Sequence, residues 1–530
     1  MTEDMVAAGL RSGWQVRNGS ALTADHTLEA DVVIVGSGAG GGTAAEILAA
    51  SGLRVLLVEE GPLKSSREFR MREADAYPQL YQESAARKTR DKAINILQGR
   101  CVGGSTTVNW TSCFRTPPET LAYWRSEFGL ADLDGDALAP WFERMEQQLG
   151  IETWSVPANE NNDLLRRGAE KLGISTATIP RNVKGCLNLG YCGLGCPTNA
   201  KQSMLVTTIP AALSSGAALW HRLRAERLVL SGGRAVVLEC LAMEEAGIRP
   251  LPYRVRIHAK HFVLAAGSLG TPALLMRSDA PDPHGHLGKR TFLHPTTISA
   301  GQMDGRVDGY AGAPQSVYSN HFLDNVPLRG PMGFKLEVPP LHPVLFSTTL
   351  QGFGTAHAQQ MQRFANTHVV IALLRDGFNP GSPGGTVHLQ SDGTPVLDYP
   401  ITEFVWEGVR RSWLAMAEIQ FAAGAKRVTP VHEKAGGYAS WKEVQRGIQE
   451  LPLTPNLARV VSAHVMGGCG MAASARDGVA DSFGRHHQLD NVSICDGSLF
   501  PTSVGTNPQL SIYGLAARNA SRLATDLAVR

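Results

Sequence analysis

A mixed α/β protein with a parallel-sheet nucleotide domain at its head is expected from this chain, on three observations. A β-branched run, Asp31-Val-Val-Ile-Val35, leads into a glycine turn and a small-residue stretch. A second apolar run, Val55-Leu-Leu-Val58, ends in Glu59. Much later, His368-Val-Val-Ile-Ala-Leu-Leu374 and Thr386-Val-His-Leu389 have the length and composition of antiparallel strands, with a helical pattern over 409–423. The first two observations make a β-α-β unit, and the third makes a second layer of antiparallel sheet and helices, α+β in overall character.

Within the β-α-β unit each glycine has a mechanical task. Gly36, Gly38 and Gly41 complete a G-x-G-x-x-G turn. Gly36 permits the tight turn, Gly38 lets a pyrophosphate approach the backbone, and Gly41 lets the helix pack closely on the strand. The helix N-terminus favours the phosphate charge. Glu59, at the end of the second strand, is placed to accept hydrogen bonds from both ribose hydroxyls and to repel a 2′-phosphate. This makes a Rossmann-like dinucleotide site, and these residues alone do not separate NAD from FAD.

Length and composition bound the rest. A chain of 530 residues exceeds what one core usually supports, so more than one domain is expected. The net charge of +2 arises from 50 basic and 48 acidic residues without long runs, which argues against nucleic acid and anionic membranes as partners. No apolar stretch is long enough for a transmembrane segment. Residues 1–29 show neither an apolar signal core nor paired arginines, so a cytoplasmic location is expected, with export or membrane association arising only through a signal-bearing partner.

Three of the eight cysteines crowd into one segment, Cys186-Leu-Asn-Leu-Gly-Tyr-Cys192-Gly-Leu-Gly-Cys196-Pro197. Glycine-rich backbone between thiolates can wrap an inorganic core, and Cys-Pro resembles the end of ferredoxin runs. Three ligands point to a [3Fe-4S] cluster; a zinc site completed from elsewhere, or plain structural thiols, are the alternatives. The other five, Cys101, Cys113, Cys240, Cys469 and Cys495, have no ligand spacing and read as core residues.

Further signals lie far apart. Gly99-Arg-Cys-Val-Gly103-Gly104-Ser105-Thr-Thr-Val-Asn109 is a loop whose amides and hydroxyls can lie against a phosphate or an aromatic ring system. Val461-Ser-Ala-His464 precedes a glycine turn, Asp496-Gly497-Ser498 ends a short apolar run, and Gly505-Thr-Asn507-Pro508 follows.

These pieces, in this order, resemble the glucose-methanol-choline (GMC) family of FAD-dependent alcohol oxidoreductases nearly end to end. Gly267-Ser-Leu-Gly-Thr-Pro272 belongs to the same set, although Met276-Arg-Ser-Asp279 stands where the family's second signature usually ends in Ser and Gly. The resemblance implies that Gly36, Gly38, Gly41 and Glu59 hold the adenosine half of FAD. Gly103, Gly104, Ser105 and Asn109 would line the flavin side, and Asp496 with Gly497 the pyrophosphate or ribityl region. Val108 stands where some members carry a histidine joined to the flavin, so FAD is expected to be non-covalent. In this chemistry the cofactor takes a hydride, and the protein supplies a base and orientation. His464 suits the base near neutral pH, and Asn507 can donate a hydrogen bond to the developing alkoxide.

Two branches of the family bear on substrate. Val108-Asn-Trp-Thr-Ser-Cys-Phe-Arg-Thr-Pro117 and Phe292-Leu-His-Pro295 look closest to bacterial long-chain alcohol oxidases and dehydrogenases. The cysteine motif is similar to that of FAD-dependent glucose dehydrogenase catalytic subunits, which implies electrons leaving through a cluster to a cytochrome or quinone acceptor, with a small partner subunit. The expected function is oxidation of a primary, long-chain aliphatic alcohol to its aldehyde. A sugar dehydrogenase, an O2-using oxidase without a cluster, and a flavin-dependent lyase are the alternatives. Residues 28–120, 200–300 and 455–530 are expected to build the FAD domain, 301–454 the substrate domain, and 121–199 an insertion carrying Cys186, Cys192 and Cys196. Val338-Pro-Pro-Leu-His-Pro-Val-Leu-Phe346 is an apolar loop placed either to wall an access channel or to cross the surface.

Overall fold

The computed structural model describes residues 4–528. The expected β-α-β unit forms as β1 (His26–Val35), α1 (Ala39–Ala50) and β2 (Val55–Glu59). Val32 to Ile34 and Val55 to Val58 are buried, as parallel strands covered on both faces must be. The two strands pair in parallel, Val32 opposite Val55 and Val35 opposite Val58. On the other side of β1 lies β3 (Pro250–Leu264), also parallel, with Leu264 opposite Val35. Val492–Ile494 then pairs in parallel with the end of β3. The ends of β1, β2, β3 and the 492–494 strand therefore open at one edge, where such sheets bind ligands. After β3 the chain turns into α2 (Gly267–Arg277).

The second sheet is antiparallel at its centre, where β4 (Thr296–Gln302) pairs with β6 (Thr367–Leu374), and β6 with β5 (Phe334–Glu337). It takes further strands from Ile94–Ile96, Ala177–Thr178 and Val460–Ser462, all outside residues 301–454. The 386–389 run forms a hairpin with Pro395–Asp398 instead of joining this sheet. The helix read over 409–423 is α3 (Glu403–Ala422), which begins more than one and a half turns earlier.

Strand alternation divides β6 between two environments. Val370, Ala372 and Leu374 pack into the core beneath α3 with Val409, Trp413 and Met416. Val369, Ile371 and Leu373 point the other way, into a cavity between the two sheets. A strand buried on both faces reads as a continuous apolar run, which is why 368–374 shows no polar alternation. The last element among the described residues is α4 (Gln509–Ala528), which packs across α1.

Candidate active site

The glycine turn closes through contacts that leave no space for a side chain. Gly36 has φ +96°, and a Cβ there would lie 2.3 Å from the Ala265 carbonyl oxygen. A Cβ on Gly41 would meet the Gly36 oxygen at 1.9 Å, so this glycine is what allows α1 to sit on the strand end. Gly38 differs: a Cβ there would reach only the Cα of Gly104, at 3.9 Å. No side chain caps α1. Its N-terminus faces a cavity of about 1060 Å³ that Gly36, Gly38, Gly104, Ser105 and Asn109 also line. The cradle is open where a pyrophosphate belongs and closed where the strand and helix pack.

Glu59 is buried at the same mouth. Its Oε2 accepts from the Ser37 N–H at 3.0 Å and the Ser37 hydroxyl at 2.6 Å, and Oε1 accepts from the Gly61 N–H at 2.9 Å. Burial raises its pKa despite these donors. Oε2 is filled by its two Ser37 donors, and Oε1 keeps lone-pair capacity for a ribose hydroxyl. Gly103, expected at the flavin side, does not line the cavity. It stands one layer back, where its N–H donates to the Ser37 hydroxyl at 3.0 Å and so ties the 99–109 loop to the glycine turn.

Asp496 is buried at the strand end expected for it. Its Oδ2 accepts from the Gly267 N–H at 2.8 Å and the Thr271 hydroxyl at 2.6 Å, and Oδ1 accepts from the Ser498 N–H at 2.8 Å. The carboxylate therefore pins the start of α2 to the 496–498 turn, and burial raises its pKa. With Gly497 it borders the same cavity.

His464 is brought to the cavity by a short antiparallel ladder in which Phe292 faces Met466 and Leu293 faces Val465. One step further along, His294 faces His464, and their Nδ1 atoms lie 3.0 Å apart. The Gly505 N–H donates to His294 Nε2 at 3.2 Å. Burial, with the charge of Lys335 adding to it, pushes His464 down to about 3. Burial and His464 likewise hold His294 well below the ordinary imidazole range. Both rings are therefore neutral around pH 7, and Nε2 of His464 is the nitrogen left for the cavity.

Asn507 lines the cavity with His464, and its amide is held from behind. Oδ1 accepts from Lys335 Nζ at 3.1 Å, and Nδ2 donates to Glu337 Oε2 at 3.3 Å. His294, Lys335 and Glu337 were given no role in the sequence. The sequence does not mark Lys335 and Glu337, because Phe334-Lys-Leu-Glu337 alternates as a solvent-facing strand does, whereas its polar face is buried here.

Beyond these residues the cavity runs into an apolar limb. Ile298, Val369, Ile371 and Leu373 form its floor, and Leu341, Phe346 and Leu350 its wall. The 338–346 segment is thus a cavity wall. Its helix, Pro343–Thr349, is anchored by Glu73, whose carboxylate accepts from the N–H groups of Val344 and Leu345 at 2.7 and 2.8 Å.

Cys186, Cys192 and Cys196 are free and half-buried, and among the described residues no three His, Cys, Asp or Glu side chains converge as a metal-binding group. Each thiol has its own polar neighbour: the Asn188 N–H on Cys186 at 3.4 Å, Arg181 Nη2 on Cys192 at 3.7 Å, and the Thr198 hydroxyl beside Cys196 at 3.5 Å. The expected [3Fe-4S] centre has no support in this arrangement of donors. The other five cysteines are buried core residues. Lys201 joins the segment to the flavin-side loop, donating to the carbonyls of Thr107, Asn109 and Cys192. Among the described residues no helix is long and apolar enough to cross a membrane.

Known proteins are similar to this chain in sequence and fold. Residues 77–296 and 380–516 match the two GMC oxidoreductase family models, and 31–72 an FAD binding domain. A GMC-type oxidoreductase of Mycobacterium tuberculosis is 32% identical over 502 residues, covering 93% of this chain and 76% of that protein. A long-chain-alcohol oxidase of Arabidopsis thaliana is 26% identical over 522 residues, covering 94% of this chain and 67% of that protein. Formate oxidase of Aspergillus oryzae superposes with a TM-score of 0.70 at 16% identity, over 95% of this chain and all of that one. Pyridoxine 4-oxidase superposes with a TM-score of 0.65 at 18% identity, over 93% and 98%. The glycine cradle falls within the segment that matches an FAD binding domain, and with the match running almost the whole length at 32% identity, the chain belongs to the GMC oxidoreductase family.

Proposed function

We propose that the protein oxidises a long-chain primary alcohol to its aldehyde. The observation that carries this reading is the continuity of one cavity, from the glycine cradle past His464 and Asn507 into an apolar limb. A sugar would leave its hydroxyls unpaired against Ile298, Val369, Ile371 and Phe346, whereas an alkyl chain gains about 0.8 kcal/mol per buried CH2 there. The printed name of the Arabidopsis relatives, long-chain-alcohol oxidase, agrees with such a substrate and with O2 as the electron acceptor.

Gly36, Gly38, Glu59, Gly104, Ser105, Asn109 and Asp496 would hold FAD non-covalently, with Val108 among the residues beside it. When bound, FAD supplies the acceptor for the hydride that leaves the carbinol carbon. His464 takes the hydroxyl proton at Nε2, and one Asn507 Nδ2–H steadies the developing alkoxide. For Nε2 to be a free acceptor, His464 must carry its own proton on Nδ1 and donate it to His294 Nδ1. Gly505 donating to His294 Nε2 favours the opposite arrangement, with the proton on His294 Nδ1. Turnover therefore requires both tautomers to reverse: the proton between the Nδ1 atoms passes to His464, His464 gives its Nε2 proton to the cavity, and His294 takes one at Nε2, with the 3.2 Å Gly505 contact relaxing.

The reading is tested by supplying 1-dodecanol and glucose to the FAD-loaded protein and following aldehyde and peroxide. Dodecanol oxidation that disappears in His464→Ala with FAD retained supports it. Turnover of glucose alone, or an unchanged rate in the variant, removes it.

A further inference from the structure

The polar face of β5 holds an ion pair that the chemistry above does not use. Lys335 and Glu337 point the same way along the strand, are 1% and 0% exposed, and lie 3.4 Å apart at Nζ and Oε1. Neither borders the cavity; both stand behind Asn507, which does. Nζ also donates to the Thr506 hydroxyl at 3.1 Å and sits 3.0 Å above the Phe114 ring and 4.5 Å from that of Tyr318. Removing two charges from water is costly, and a buried pair seldom adds net stability, so its persistence in an apolar interior points to a local task.

That task is visible in which atom meets which. An amide can sit in its slot in two orientations of nearly equal shape. Here the ammonium accepts nothing and so demands Oδ1, while the carboxylate donates nothing and so demands Nδ2. We propose that Lys335 and Glu337 are positioning residues that lock the Asn507 side chain in one orientation, so that a single N–H and not the carbonyl is offered to the substrate oxygen. This rests on the function proposed above. Burial pulls Lys335 down to about 7, with Glu337 opposing, and raises Glu337, with Lys335 opposing. Asp324, Tyr318, His294 and His464 are the other titratable groups that sense or face this pair. A neutral amine would carry a lone pair and could accept as well as donate, so the lock depends on Lys335 keeping its charge.

The test compares FAD-loaded wild type with the doubly apolar Lys335→Met/Glu337→Leu variant, which leaves no buried charge alone. The variant should keep FAD, and its kcat on 1-dodecanol should fall at least tenfold while KM stays within about threefold. Introduced into Asn507→Ala, the same two changes should cost less than twofold more, because there is no longer an amide to orient. A double variant within twofold of wild-type kcat overturns the proposal, as does an equal loss on top of Asn507→Ala. A second measurement needs no turnover: the Asn507 side-chain amide protons, followed by NMR with 15N-asparagine, should exchange with water at least tenfold faster in the double variant. Unchanged exchange overturns the positioning role, whereas absence of alcohol oxidation in wild type overturns only the function on which it rests.

Discussion

His294 and His464 meet through their Nδ1 atoms at 3.0 Å, directly opposite each other one step beyond a two-residue antiparallel ladder. A contact between two like nitrogens holds one proton, so the state of each ring sets the state of the other. His464→Ala should lower kcat by roughly 10²- to 10⁴-fold with FAD content unchanged. His294→Ala should cost about 10- to 10²-fold through lost orientation of its neighbour. Stopped-flow reduction by dodecanol measures both, and a fully active His294→Ala would show that the contact is structural only.

Acid sensitivity should come from buried imidazoles. Burial holds His368 and His464 down to about 3 and His221 and His486 to about 4, and His294 is also depressed. Once unfolded, each binds a proton below about pH 6.5. The unfolded state then carries more protons, and stability falls as pH drops from 6.5 toward 4, by about 1.4 kcal/mol per pH unit for each histidine that stays neutral. Urea melts across that range should show the decline, and His368→Gln, which removes one such group, should make it shallower. A flat profile would contradict neutral burial.

The glycine cradle predicts a graded loss of cofactor. Gly38→Val should abolish FAD retention, because its side chain enters the open space beside Gly104. Glu59→Gln keeps the Ser37 and Gly61 neighbours but loses the charge, and should raise the FAD dissociation constant about tenfold, worth about 1.4 kcal/mol. Flavin absorbance per protein and fluorescence titration report the two effects.

Chain-length dependence should follow the apolar limb. At about 0.8 kcal/mol per CH2, kcat/KM should climb up to about fourfold for each added methylene until the chain fills the limb. Ile371→Trp, on the floor, should bring the plateau to shorter alcohols. A length profile unaltered by that change would place the alkyl chain elsewhere.

Iron analysis decides the role of the Cys186 segment. Since among the described residues the three thiols do not converge as a metal-binding group, the purified protein should carry no stoichiometric iron or acid-labile sulfide. Replacing all three cysteines by alanine should leave peroxide formation from dodecanol unchanged. Three irons per chain, lost in that variant together with activity toward an artificial acceptor, would reinstate a cluster route.

Local patterns were enough to read the nucleotide unit from the chain. Strand, glycine turn, helix and acid are contiguous, and the penalty for a Cβ at Gly36 or Gly41 arises within about 230 residues of packed backbone whose strands are themselves legible as apolar runs. The positions of His464, Asn507 and Asp496 are marked in the sequence by neighbouring glycine turns, whereas their roles follow from the family resemblance. The pairing of His294 with His464 depends on the register of a ladder between segments 170 residues apart. The burial of Lys335 and Glu337 depends on the 506–507 turn covering what reads as the outer face of a strand. The spacing of Cys186, Cys192 and Cys196 could not say whether the thiols would converge. Short-range periodicity reports how a segment is built; which charges are shut away from water, and which nitrogens face each other, follows from long-range packing.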